Sequence, residues 1–252
     1  MKLDCVITSC NLNNLYFDFI PLFIKSWNKL YPNVDVKIIL ISNYIPNEIE
    51  QYKNNIILFS PIDNISTAFT SQYIRLLYPC ILNYNNGILI TDMDMIPMNS
   101  TYYTENIKNI NDDKFIYYRD ALIYQYKEIA MCYNIALNKT WKDVFNINNV
   151  EDIKQRIINV NNNINYVEGH GTNGWTTDQT DLYKYIINWN KKTNNFVFLD
   201  DKKTGYNRLD RGTFNLDDNE ISKIKNGFYT DYHCYRPYKQ YKQINDAILD
   251  LL

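Results

Sequence analysis

Apolar residues along this chain fall into two rhythms, short continuous runs and longer stretches spaced three and four apart. Leu3-Asp-Cys-Val-Ile-Thr-Ser9 reads as a first strand that opens into the polar segment Cys10-Asn-Leu-Asn-Asn14. Residues 19–31 place Phe19, Phe23, Trp27 and Leu30 at helical spacing, and Pro32 follows as a stop. Val36–Ser42 and Ile56–Phe59 read as a second and a third strand. Ser66 is a candidate cap for a helix with Phe69, Tyr73, Leu76, Leu77 and Cys80 on its apolar face, which Pro79 ends or kinks. The run Gly87-Ile-Leu-Ile90 is a fourth strand.

The second half is less regular. Ile116–Tyr118 and Glu128–Leu137 are expected to be strands, and Lys139–Phe145 and Val150–Val160 helices. The loop Gly169-His-Gly-Thr-Asn-Gly-Trp175 leads into a helix capped by Thr176 or Thr177, with Leu182, Tyr185, Ile186 and Trp189 on one face. Phe228–Tyr232 is expected to form a last strand that delivers His233, and 241–252 a short amphipathic helix. Strand and helix alternating over the first hundred residues predict an α/β fold with a mainly parallel central sheet. In such sheets ligands bind beyond the carboxyl ends of the strands, so Thr8, Ser9, Asn11 and the residues after Ile90 should line one crevice.

At 252 residues the chain can bury a sizeable core as one domain, 1–252, and no interdomain linker or repeat interrupts it. A net charge of -2 with scattered basic residues gives no general attraction to nucleic acid or an anionic membrane. No basic start followed by an apolar run reads as a secretory signal, and no apolar stretch approaches a membrane span. The 5 cysteines (Cys5, Cys10, Cys80, Cys132, Cys234) have no metal-type spacing, which fits reduced thiols and a cytoplasmic location. Heavy use of Asn, Ile, Tyr and Lys fits an A/T-rich genome, bacterial or of a large DNA virus.

The fourth strand ends in Asp92-Met93-Asp94. If strand alternation continues, both carboxylates face the same way while Met93 turns inward. Two adjacent carboxylates at the end of a buried strand repel each other and resist desolvation. A hard divalent cation shared with a phosphate relieves both problems. Buried strand, Asp-x-Asp, then turn therefore points to a metal-diphosphate site and to transfer from a nucleotide-activated donor. Two solvated loop aspartates are the plainer alternative.

At this point the chain resembles the GT-A glycosyltransferases, especially the retaining group that includes glycogenin and bacterial lipopolysaccharide galactosyltransferases. Ser71-Gln-Tyr-Ile-Arg-Leu-Leu-Tyr-Pro79 is similar to that group's Arg-Leu-Leu-x-Pro helix before the Asp-x-Asp strand. Asn134 in Cys132-Tyr-Asn-Ile-Ala136 resembles its acceptor-side Asn-x-Gly strand, with Ala136 in place of Gly. Thr177-Asp-Gln-Thr-Asp181 is similar to its Asp-Gln-Asp helix start. Tyr232-His-Cys-Tyr-Arg-Pro-Tyr-Lys239 is similar to its terminal His-x-x-Gly-x-Lys-Pro segment, without the Gly and with the basic residues displaced.

The resemblance implies a Rossmann-like GT-A fold with a mixed, mostly parallel sheet, 1–99 forming the nucleotide-sugar half and 100–252 the acceptor-side half. It implies a metal-dependent glycosyltransferase taking a UDP-sugar to a glycan, protein or small-molecule acceptor. Asp92, Asp94 and His233 then hold Mn2+ or Mg2+, with Asp94 the direct ligand and Asp92 nearer the ribose. Arg236 and Lys239 meet the phosphates, Arg75 pairs with Asp92 or the donor, and Thr8, Ser9 and Asn11 face the nucleoside. Asp178 is a general base if the enzyme inverts. If it retains, the favoured case, Gln179 sits by the anomeric carbon. Asn134, His170 and Trp175 belong to the acceptor side. A sugar-phosphate nucleotidyltransferase would share the sheet and the carboxylates, but it needs a Gly- and Arg-rich loop after the first strand, where this chain has Thr8-Ser-Cys-Asn-Leu-Asn-Asn14. A non-catalytic carbohydrate- or partner-binding module of the same fold is the other alternative.

Overall fold

A computed structural model describes all residues, Met1–Leu252. Ten strands form two sheets. β1 (Leu3–Asn11), β2 (Asp35–Ile41), β3 (Ile56–Phe59) and β4 (Gly87–Ile90) follow the first-half pattern closely. β5 (Met95–Pro97), β6 (Phe115–Tyr117), β7 (Asn134–Leu137), β8 (Phe196–Phe198), β9 (Arg208–Asp210) and β10 (Asp231–His233) are shorter. The seven-stranded sheet runs β3-β2-β1-β4-β7-β6-β8. Neighbours pair in parallel except around β7, which is antiparallel to both β4 and β6.

β1, β2 and β4 are buried almost throughout, as a sheet covered on both faces requires. Trp27, from the helix Ile20–Leu30, and Trp141, from the helix Asn138–Phe145, are both fully buried. The indole of Trp141 donates to the Ile88 carbonyl at 3.2 Å, which anchors β4 from outside the sheet. The smaller sheet, β5-β10-β9, lies immediately after the Asp92–Asp94 turn in sequence, because β5 starts at Met95. It brings the C-terminal third of the chain back to the end of β4.

Several expectations shift. The strand foreseen over 128–137 begins only at Asn134. The Asn134 side chain donates to the carbonyls of Ala130, Met131 and Cys132, and Tyr133 adopts a left-handed φ of 77°, so the preceding apolar residues turn instead of pairing. The last strand is Asp231–His233, not Phe228–Tyr232, so His233 stands within the strand. β5, β8, β9 and the helix Asp218–Lys225 were not foreseen; the strands among them are three residues long, too short for periodicity to mark. Ser66 does cap its helix, Thr67–Leu77, by accepting from Ala68 N–H. Thr176 precedes the helix Thr177–Thr193 without a side-chain cap bond. No helix is long and apolar enough to cross a membrane.

Gly87 opens β4 beside β7. A Cβ there would stand 2.6 Å from Ile135 Cδ1, 2.8 Å from Ile135 Cγ1 and 3.0 Å from the Lys2 carbonyl. Gly87→Ala is therefore expected to destabilise by about 1–3 kcal/mol through overpacking. Denaturant midpoints check it, and a stability equal to wild type would mean that β7 yields without cost.

Candidate functional site

One cavity of about 460 Å³ opens at the carboxyl ends of β1 and β4, a volume in the range of small-molecule sites. Its wall near β1 carries Ser9 and Asn11. Ser9 Oγ donates to the Ser71 carbonyl, and Asn11 Nδ2 donates to Thr67 Oγ1 at 3.0 Å. Both bonds join the strand end to the helix Thr67–Leu77. Thr8 does not reach the cavity; it is fully buried on the alternate face, and its hydroxyl has no partner.

That helix supplies the centre of the site. Gln72 and Arg75, one turn apart on the same face, both point at the cavity. Arg75 Nη1 pairs with Asp92 Oδ1 and donates to the Thr91 carbonyl at 3.1 Å. Its Nη2 stands 3.4 Å from Asp178 Oδ2. Gln72 Nε2 donates to Asp178 Oδ1 at 3.1 Å and to the Trp175 carbonyl at 2.6 Å. Two side chains thus fasten the turn after β4 to the first residues of the helix Thr177–Thr193. Arg75 meets Asp92, one of the two partners that the sequence allowed, and also Asp178, which the sequence did not suggest.

Asp178 is 2% exposed. Burial pushes its carboxyl up, Arg75 and Gln72 pull it back, and the balance leaves it at about 6. Asp94 shows the opposite outcome. Burial pushes it up, but His233, Arg236 and Arg211 outweigh that and hold it well below the usual carboxylate range. Arg211 Nη1 lies 3.0 Å, Arg236 Nε 3.2 Å and His233 Nε2 3.4 Å from the one oxygen Asp94 Oδ2. His233 Nδ1 is 2.8 Å from Asp210 Oδ1. Burial draws the imidazole down, but Asp210 and Asp94 prevail and raise it to about 9. The backbone reinforces this meeting, since Cys234 N–H donates to the Asp94 carbonyl at 2.8 Å.

Asp92, Met93 and Asp94 turn instead of extending the strand; both carboxylates line the cavity, and Met93, though buried, lines it too and is not on an opposite face. No three His, Cys, Asp or Glu side chains converge as a ready-made metal cage. Asp178, Gln179, His170 and Trp175 all line the same cavity, the last two rings packing 5.1 Å apart. Asn134 does not line it. Buried at the start of β7, it acts on the cavity through the Ala130–Cys132 carbonyls it holds. Lys239 is also displaced from its expected place: it pairs with Asp18 at 3.0 Å and is not part of the lining.

Sequence reasoning missed Gln72, Tyr16, Arg208 and Arg211, all of which line the cavity. Tyr16 lies under the Arg236 guanidinium, 5.2 Å from ring to charge, and its hydroxyl accepts from Arg236 Nη1. Arg208 is held by the Tyr133 hydroxyl at 2.8 Å and by Asp231 at 3.4 Å. Arg208-Leu-Asp-Arg-Gly212 is a dense charged stretch ahead of a turn glycine, a signal that was available but carries no spacing rule.

No protein-family model matches the chain, and a search of curated protein sequences finds no match. Solved structures do match. GlyE, a glycosyltransferase of Streptococcus pneumoniae TIGR4, is 15% identical with a TM-score of 0.53 over 100% of this chain, which spans 60% of that protein's length. The galactosyltransferase LgtC, solved with donor and acceptor sugar analogs, is 11% identical with a TM-score of 0.50, covering 98% of this chain and 96% of its own. The fold is thus the GT-A glycosyltransferase fold, with its mixed, mostly parallel sheet.

Arg75 gives a pH-dependent test. The folded state keeps a proton on Asp178 that the unfolded chain, at 3.8, has lost between pH 4 and about 6. Stability from this group therefore falls as pH rises through that window, and its cost is fully present above it. Arg75→Ala is expected to lose about 3–5 kcal/mol at pH 8, where two carboxylates are left unpaired. It should lose less at pH 5, where Asp178 can protonate. Equal losses in urea midpoints at both pH values would mean that Arg75 acts through packing alone.

Proposed function

We propose that this chain transfers a sugar from a nucleotide-diphosphate donor, UDP being the first nucleotide to test, to a hydroxyl of a glycan, protein or small-molecule acceptor. Mn2+ or Mg2+ assists at the diphosphate. The observation that carries the reading is Asp94, a buried carboxylate on a GT-A cavity wall that collects His233, Arg211 and Arg236. Two guanidinium groups on one carboxylate leave positive charge facing the cavity, which an anionic ligand such as a diphosphate can pair with.

The donor set fits a divalent ion. Such ions complete their shells with substrate phosphates, so a closed protein cage is not needed. Asp94 Oδ2 and His233 Nε2 stand 3.4 Å apart, near enough for one ion to take both as ligands. Asp210 on His233 Nδ1 is the kind of carboxylate partner that orients a ligating imidazole. Asp94 and His233 would hold the ion, which would replace the proton that Asp94 and Asp210 keep on the imidazole, and Asp92, now committed to Arg75, is the third candidate ligand. When bound, the cation neutralises the nucleoside diphosphate as it departs.

The surroundings of Asp178 support retention. Its Oδ1 accepts from Gln72 and from the Gln179 N–H, and its Oδ2 faces Arg75. A carboxylate so occupied positions its neighbours and is poorly placed to take the acceptor proton as a general base. Gln179 is the next side chain into the cavity and can meet the anomeric centre. The acceptor proton then passes to the leaving phosphate oxygen. Ser9 and Asn11 are placed for the nucleoside, and the rings of His170 and Trp175 offer apolar faces to a sugar.

Calorimetric titration with UDP, with and without Mn2+, tests the donor site. Cation-strengthened binding is expected in the wild type and a loss of that strengthening in Asp94→Asn, together with loss of transfer. Undiminished transfer by Asp94→Asn sinks the cation assignment. No binding of UDP or GDP under either condition favours a non-catalytic module. Product NMR is expected to show the donor's anomeric configuration preserved.

A further inference from the structure

Two guanidinium groups meet on one oxygen of Asp94, one more positive charge than that carboxylate balances. Arg211 spends a single nitrogen on protein partners: Nη1 donates to Asp94 at 3.0 Å and to the Cys234 carbonyl at 2.9 Å. Its Nε and Nη2 have no protein acceptor. Arg236 places Nε against Asp94 and Nη1 on the Tyr16 hydroxyl, and its Nη2 is likewise unpartnered. Both guanidinium groups line the cavity, Arg211 anchored through Nη1 alone and Arg236 through Nε and Nη1. Arg236 rests on the Tyr16 ring. Arg211 sits on the turn after β9, where Arg211 N–H donates to the His233 carbonyl at 3.1 Å and Gly212 follows with a φ of 77°.

In Arg211 the open Nε–Nη2 edge is the planar fork that matches two phosphate oxygens, and Arg236 adds its single free Nη2 beside it. Two guanidinium groups sharing the Asp94 carboxylate leave positive charge beside it, in a cavity where desolvation strengthens its pull on an anion. Lys239, the lysine nearest in sequence to the expected phosphate position, is spent on Asp18 outside the cavity. The cationic work falls instead to a residue from β10's exit and one from β9's exit, 25 positions apart in sequence but meeting on Asp94.

We propose that Arg211 and Arg236 form a diphosphate seat in their own right, holding the pyrophosphate bridge of a nucleoside-diphosphate donor directly, so that diphosphate binding persists when divalent cations are removed. This rests on the donor reading above and adds to it a residue, Arg211, and a cation-independent mode of binding. Asp94 serves in it as the post that keeps the Arg211 fork and the free Arg236 Nη2 in place before the donor arrives.

The test is calorimetric titration with UDP and with inorganic pyrophosphate, in EDTA and again in Mn2+. The wild type is expected to bind both probes in EDTA. Arg211→Ala and Arg236→Ala should each weaken that binding about tenfold or more, the scale of losing charge-assisted hydrogen bonds. Arg211→Lys should fall between, since it keeps the charge and loses the fork. Lys239→Ala should bind as wild type does. Thermal melts identify a variant that fails to fold, in which case Arg211→Lys carries the comparison. Unchanged affinity in folded Arg211→Ala would overturn the seat and leave Arg211 as a mere counterion of Asp94. Wild-type binding in Mn2+ but none in EDTA overturns the seat while the donor reading stands; no binding under either condition overturns both.

Discussion

The site depends on one buried cation placed between two acids. Asp92 leaves the central sheet at the end of β4, partly exposed, and Asp178 opens a helix almost ninety residues later in the chain, buried; a positive charge between them offsets the cost of desolvating Asp178 and the repulsion between the two. Arg75 stands 3.4 Å from Asp178 and pairs directly with Asp92. Gln72, one turn earlier, holds the other Asp178 oxygen and the backbone of the glycine-rich loop. A single helical face therefore fixes where the strand ends, where the helix Thr177–Thr193 begins and how the loop before it is tethered. The energetic return of such a pair is modest, because desolvation offsets most of the attraction. What it supplies is position.

Asp94 is the second meeting point, and it joins the two sheets. Its carbonyl accepts from Cys234 in the chain leaving β10, and its carboxylate receives side chains from the exits of β9 and β10. The two carboxylates of Asp92-Met93-Asp94 thus go to different partners, one to the helix and one to the small sheet. Their opposed surroundings keep the pair from acting as a single repelling unit. The cavity lies along this seam, with the 165–175 loop on its rim. That loop is tethered by Gln72, by one bond from Asn13 to Glu168 at 3.2 Å and by Tyr166, whose ring packs 5.1 Å from that of Phe69.

Much of this could be read from sequence. The first four strands, the Ser66 cap and the long helices stood out because apolar spacing and caps are local signals. So did Asp92, Asp94, Arg75, Asp178, Gln179 and His233, whose neighbours in the chain carry recognisable patterns. Lys239 was misplaced and Arg211 overlooked for the same reason. A basic residue on a turn shows by its sequence only that it is charged, and whether it pairs with Asp18 or with Asp94 depends on contacts more than a hundred residues away.

By itself the amino-acid order determined the alternation of buried strands and amphipathic helices, the abrupt acidic end of β4 and the inward commitment of Arg75, since each follows from periodicity and from the cost of burying polar groups. Tertiary structure alone decided which cations surround Asp94, that Asn134 props a loop instead of facing the cavity, and that Asp178 is held at both oxygens. Those outcomes rest on three-residue strands and single turns whose conformations are selected by what they pack against, and no local preference specifies that.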